Sequence, residues 1–145
     1  TVLRFFTVYG PWGRPDMATF IFTKRIIEGK EIEVFNKGKM KRDFTFIDDI
    51  VDGIMGSVNL KTKFEHRIYN LGNNNPEDLS NFINLIEETL GIRAKKKLLP
   101  IQPGDVKETF AEISESTKDL NFMPKVNIEE GIPKFIQWYK SYYDI

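Results

Sequence analysis

The sequence predicts a single domain of mixed α/β class, with short strands interleaved among about four to five helices. Three observations predict it. Runs rich in β-branched and aromatic residues alternate with stretches of helical apolar spacing. Glycine, proline and asparagine cluster between many of these runs, where turns need them. No repeat, low-complexity tract or linker divides the 145 residues, a length sufficient for one compact core.

The first run, Thr1-Val2-Leu3-Arg4-Phe5-Phe6-Thr7-Val8-Tyr9, reads as a strand over 1–9 with no lead-in. A buried strand starting at residue 1 is expected of a piece of a longer chain. Gly10 to Asp16 is a loop by its Pro and Gly content. A helix follows at about 18–29, with Phe20, Ile21, Ile26 and Ile27 apolar and Gly29 as its stop. Glu31 to Phe35 alternates as a half-exposed strand, Asn36 to Lys39 turns, and Arg42 to Phe46 is extended. Asp48 is the expected cap of a helix at about 49–60, with Ile50, Val51, Ile54, Met55 and Val58 on one face. Arg67 to Gly72 reads as a buried strand. Asn75 as N-cap, Pro76 at the first helical position and Gly91 as stop predict the next helix. Its apolar stripe is Leu79, Phe82, Ile83, Ile86 and Leu90. A strand at Ala94 to Leu99 and a short helix near 116–120 come next. The last helix starts after the Asn127 cap, and Pro133 is expected to kink it or mark its true start.

Twenty-one basic residues balance 21 acidic ones, so no global field favours nucleic acid or an anionic membrane. Arg93 to Lys97 is a local basic tract, expected as a solvated face near an edge strand. There is no cysteine, which fits a reducing compartment and a cytoplasmic site. No apolar run approaches the roughly 18 residues of a membrane span. The single histidine, His66, lies in a polar stretch and reads as a surface residue, so Ser–His catalysis is a poor prospect. Cys/His metal clusters and dinucleotide or Walker glycine loops are absent from the sequence. Gly53 and Gly56 lie in the helix at 49–60, where they read as packing contacts, and Asp48-Asp49 and Glu87-Glu88 read as caps or solvated carboxylates. Composition and spacing alone stop at a soluble α/β domain.

Five segments carry a resemblance: Leu3 to Pro11, Arg42-Asp43-Phe44-Thr45-Phe46-Ile47-Asp48-Asp49-Ile50, Tyr69-Asn70-Leu71-Gly72, Pro103-Gly104-Asp105-Val106, and Leu120-Asn121-Phe122 with Pro124. In this order and rough spacing they resemble the later part of extended short-chain dehydrogenase/reductases. The stretch Gly10-Pro11-Trp12-Gly13-Arg14-Pro15-Asp16-Met17 is similar to the UDP-glucuronate 4-epimerases, as is Gln102 to Asp105. Many relatives have Asn where Thr7 stands. The loop at 10–17 argues against the related decarboxylases and dehydratases. A noncatalytic remnant that binds nucleotide sugar is the alternative from another class.

The resemblance implies an extended Rossmann-type fold, with residues 1–145 its C-terminal substrate-binding domain and 1–9 a strand of an NAD-binding Rossmann domain preceding it. It also implies reversible inversion at sugar C4 of a UDP-sugar, through a 4-keto intermediate, with NAD taking and returning the hydride. The catalytic tyrosine of that chemistry lies in Tyr-x-x-x-Lys. This chain has none: the positions four after Tyr9, Tyr69 and Tyr139 are Gly13, Asn73 and Tyr143. No residue here is therefore assigned as catalytic.

By the same resemblance, Thr7 and Arg14 hold the C5 substituent of the sugar, and Arg14 offers a bidentate fork to a carboxylate. The alternative is a structural Arg14–Asp16 pair. Arg42 binds the diphosphate, or else bridges to Asp43 or Asp49. Asp105 accepts from ribose hydroxyls, or else caps a turn. Phe35 lies near uracil, or else in the core, and the Phe5 backbone lies near nicotinamide. Thr7, Arg14, Arg42 and Asp105 are expected to converge on one concave face. The first strand is expected to leave an apolar surface that a homo-oligomer or a complementing N-terminal half covers.

Overall fold

The opening run folds as two strands. In the computed structural model, which describes residues 1–61 and 66–145, β1 (Val2–Phe5) and β2 (Thr7–Tyr9) part at Phe6 and join different sheets. β1 pairs in parallel with β5 (Ile68–Leu71), Val2 opposite Ile68 and Phe5 opposite Leu71. β2 pairs in parallel with β4 (Lys41–Phe46), Thr7 opposite Phe44. On its far side β4 takes β6 (Pro76–Asp78) antiparallel. β3 (Glu31–Val34) and β7 (Lys95–Leu98) form a third, parallel pair. Along β3 the alternation buries Ile32 and Val34, while all four residues of β7 are exposed, as expected of the basic tract.

Among the described residues five helices pack on these strands: α1 (Ala18–Ile27), α2 (Ile47–Asn59), α3 (Leu79–Leu90), α4 (Ser114–Leu120) and α5 (Ile128–Tyr143). The main core joins β2 and β4 to α1, α3 and α5, with Phe44 stacked on Phe82 at a centroid distance of 3.9 Å. A smaller cluster gathers Ile50, Tyr69, Leu71, Leu120 and Phe122. Among the described residues no helix is long and apolar enough to cross a membrane.

Four local expectations change. Phe46, not Asp48, is the N-cap of α2; Asp48 sits in the first turn, where its charge complements the exposed amides. Asn75 caps no helix, because Pro76 to Asp78 is drawn into β6. A proline lacking its N–H is tolerated on a short edge strand, and the Leu79 amide then bonds the Met40 carbonyl at 2.8 Å. Neither does Pro133 start α5. The helix begins at Ile128, where the Asn127 side chain accepts from the Glu130 amide at 3.0 Å, and runs on through the proline. The apolar face of α2 divides: Ile50 is buried, but Val51, Met55 and Val58 are exposed. As expected, Gly91 closes α3 at φ +69°, and His66 is exposed.

Candidate functional site

β4 sends alternate side chains to opposite faces, Arg42 and Phe44 to one and Asp43 and Thr45 to the other. Arg42 and Phe44 line a cavity of about 470 Å³, which lies in the range of small-molecule sites. Thr7 enters it from β2, across from Phe44. Ala18, Ile21, Phe22 and Arg25, one stripe along α1, form a wall. Phe35, at the start of a 3₁₀ turn, and Asp105, in a distant loop, also line it. Four of the six residues singled out from the sequence thus meet here: Thr7, Phe35, Arg42 and Asp105. A larger open cleft beside Gly38, Lys41, Ser80 and Lys107 has no aromatic wall, and its lysines are exposed.

Arg42 and Asp105 already hold each other. Arg42 Nη2 donates to Asp105 Oδ1 at 2.7 Å and Nη1 to the Lys41 carbonyl at 2.8 Å, and the two side chains are only 18% and 31% exposed. The bridge expected to Asp43 or Asp49 does not form, since backbone amides fill both of those carboxylates. Asp105 also accepts from the Val106 amide at 2.9 Å, so its turn-capping role exists beside its contact with Arg42.

Arg14 stands apart from this lining, against expectation. Its Nε donates to Asp16 Oδ1 at 3.1 Å and its Nη2 to Oδ2. The hydrogen bond from Arg14 holds the Asp16 carboxyl below its ordinary range. Asp16 lines the cavity, while Arg14 faces a neighbouring one of about 460 Å³ with Phe5, Pro11 and Trp12. Met17 lines both. Gly10 shapes this loop: its φ is +138°, and a Cβ there would lie 2.6 Å from Ile47 Cγ2.

Reading the sequence missed what Asp43 does. It is fully buried, and its carboxylate accepts from the amides of Asn73, Asn74 and Ala111 at 2.6, 3.0 and 2.7 Å and from Thr45 Oγ1 at 3.2 Å. It fastens the turn after β5 and the irregular segment around Ala111 to the strand that carries Arg42. Asp49 likewise takes the amides of Lys125 and Val126 at 3.0 and 3.1 Å. The available signal was a carboxylate just ahead of the strand residues Phe44 and Phe46, and burial tolerates a carboxylate only when it is hydrogen-bonded.

In chemical terms the cavity offers a cationic fork, a carboxylate acceptor, a hydroxyl and an aromatic wall. That set suits an anionic ligand carrying hydroxyls and a flat ring.

Residues 1–72 match the NAD dependent epimerase/dehydratase family. An uncharacterized protein of Methanocaldococcus jannaschii is 56% identical over 137 residues, covering 94% of this chain and 41% of that protein. UDP-glucuronate 4-epimerase 5 of Arabidopsis thaliana is 46% identical over 158 residues, covering 99% of this chain and 36% of its own. The crystal structure of UDP-glucuronic acid 4-epimerase from Bacillus cereus, in complex with UDP-glucuronic acid and NAD, superposes with a TM-score of 0.92 at 34% identity. It covers 99% of this chain and 46% of that one. The chain thus spans less than half the length of each of these relatives.

Proposed function

We propose that this chain, which belongs through residues 1–72 to the NAD dependent epimerase/dehydratase family, holds the sugar nucleotide for a 4-epimerase that interconverts UDP-glucuronate and UDP-galacturonate. The observation that carries this reading is the meeting of Thr7, Phe35, Arg42 and Asp105, from four segments, in one cavity of about 470 Å³. Arg42 faces the diphosphate, Asp105 the ribose hydroxyls and Phe35 the base. Thr7 and Arg14 take the sugar end.

At that end, orientation matters chemically. A 4-keto uronic acid is a β-keto acid and loses CO₂ when the C5–C6 bond to its carboxylate stands perpendicular to the carbonyl plane. A bidentate guanidinium fixes the position of a carboxylate. Arg14, with the Thr7 hydroxyl, then guards the intermediate by holding the carboxylate away from that geometry.

The residues present fit only part of the cofactor. Apolar Phe5 and Pro11 line the cavity beside Arg14, adjacent to the proposed sugar end, and suit a flat ring. The 145 residues contain no glycine loop for the dinucleotide phosphates. When bound, NAD supplies the hydride acceptor; this chain's own residues bind and orient the substrate. Val2, Phe5 and Ile68 on the β1–β5 pair, with Val51 and Met55 on α2, leave apolar side chains 42–52% exposed. We propose that a complementing N-terminal half or a second copy covers them. Light scattering showing a strict monomer with an ordered, exposed β1 would count against that cover.

Calorimetric titration with UDP tests the nucleotide reading. Arg42→Met should weaken UDP binding by at least about tenfold, the scale of a lost charge-assisted contact. No UDP binding by the unmodified chain at millimolar concentration would end the proposal.

A further inference from the structure

We infer that Asp16 is a resident competitor for the Arg14 fork, and so a residue that sets how tightly acidic sugars are held relative to neutral ones. The inference rests on the reading above and deepens it at the sugar end.

Two facts stand together. The Nε/Nη2 edge of Arg14 is already filled by a carboxylate, through Nε to Asp16 Oδ1 at 3.1 Å and Nη2 to Oδ2. Of the two partners, Asp16 and not Arg14 lines the cavity shared with Thr7 and Arg42. A sugar carboxylate in that cavity therefore gains the Nε/Nη2 edge of Arg14 only by displacing Asp16. One edge of a guanidinium grips one carboxylate at a time. The pair is 75% and 61% exposed, so water screens it and it exchanges readily. A hydroxymethyl group carries no charge with which to displace Asp16, so a neutral sugar leaves the pair closed. Asp16 thus lowers the advantage of an acid over a neutral sugar below what a free Arg14 would give, which keeps acidic ligands releasable. No covalent step is involved.

The test compares dissociation constants of UDP-glucuronate and UDP-glucose for the unmodified chain, Asp16→Asn, and Asp16→Asn combined with Arg14→Met. A carboxamide cannot compete as an anion. The ratio of the two constants should therefore shift about three- to fivefold further toward the acid in Asp16→Asn, the scale of one exposed pair. Adding Arg14→Met should abolish that gain. A second readout does not depend on variants folding well: the Arg14 Nε–H resonance of the unmodified chain should move on adding UDP-glucuronate and stay in place with UDP-glucose. An unchanged or reversed ratio in Asp16→Asn with binding retained, or an Arg14 resonance that responds equally to both ligands, overturns the inference alone. Failure of the unmodified chain to bind either nucleotide overturns the reading beneath it, and the inference with it.

Discussion

Replacing Asp43 should unfold the chain's site before it alters the site's chemistry. Its side chain is fully buried and accepts three backbone amides and one hydroxyl, with Asn73 and Ala111 at 2.6 and 2.7 Å. Hydrogen bonds to a charged group are worth about 1.5–3 kcal/mol each, and an orphaned buried donor costs a comparable amount. Water entering the space left by Asp43→Ala would recover part of three such losses, leaving about 4 kcal/mol of destabilisation. Asp43→Asn keeps one carbonyl oxygen but turns an NH₂ toward amide donors, so about half that cost remains. At roughly 2–4 °C per kcal/mol for a chain of this size, Asp43→Ala lowers Tm by about 8–16 °C. Urea unfolding followed by far-ultraviolet circular dichroism reads the same quantity as a lower midpoint at unchanged slope. A loss below about 1 kcal/mol, the level of an ordinary surface change, would refute the claim that this carboxylate fastens three segments.

Further outcomes follow from individual contacts. Gly72→Ala places a Cβ 2.3 Å from Ala111 Cβ and 3.0 Å from Asp43 Oδ2, and should cost about 1–3 kcal/mol in the same urea assay. Asn127→Ala removes the cap on the Glu130 amide and should cost about 1 kcal/mol. Burial, with Asp49 nearby, raises the Tyr9 phenol well above its ordinary value. The unfolded chain loses that proton near pH 10 and the native chain keeps it, so stability fully present below about pH 10 falls as pH rises beyond it. Unfolding midpoints at successive pH values check this, and Tyr9→Phe should flatten the fall. Finally, a homogeneous 145-residue preparation should show no turnover of UDP-glucuronate with added NAD, since it has no Tyr-x-x-x-Lys; a coupled assay for UDP-galacturonate reads it.

How far the sequence revealed these features depended on whether the cause was local. Caps and stops that act within one turn were legible: Asn127 opens α5 and Gly91 closes α3. The failures had nonlocal causes. Asn75-Pro76 carries the marks of a helix start, but β4 offers an antiparallel edge that the local pattern cannot reveal, and the strand prevails. The break at Phe6 arises because β1 and β2 answer to different partners, β5 and β4. At the site, the family motifs singled out Arg42, Asp105 and Thr7, which line one cavity. The motifs could not decide pairings across 63 residues, such as Arg42 with Asp105, or show that Asp16 and not Arg14 reaches the cavity. Asp43 was overlooked because its partners are backbone amides of Asn73, Asn74 and Ala111, to which side-chain identity gives no clue.

The most direct test of the account is where a sugar nucleotide binds. Amide and side-chain NMR resonances of the 145-residue chain should be followed during titration with UDP-glucuronate. A contiguous set of shifts is expected at Thr7, Phe35, Arg42, Phe44 and Asp105, extending along the loop to Arg14 and Asp16. Shifts confined to the open cleft of Gly38, Lys41, Ser80 and Lys107, with Arg42 and Asp105 unmoved, would contradict it.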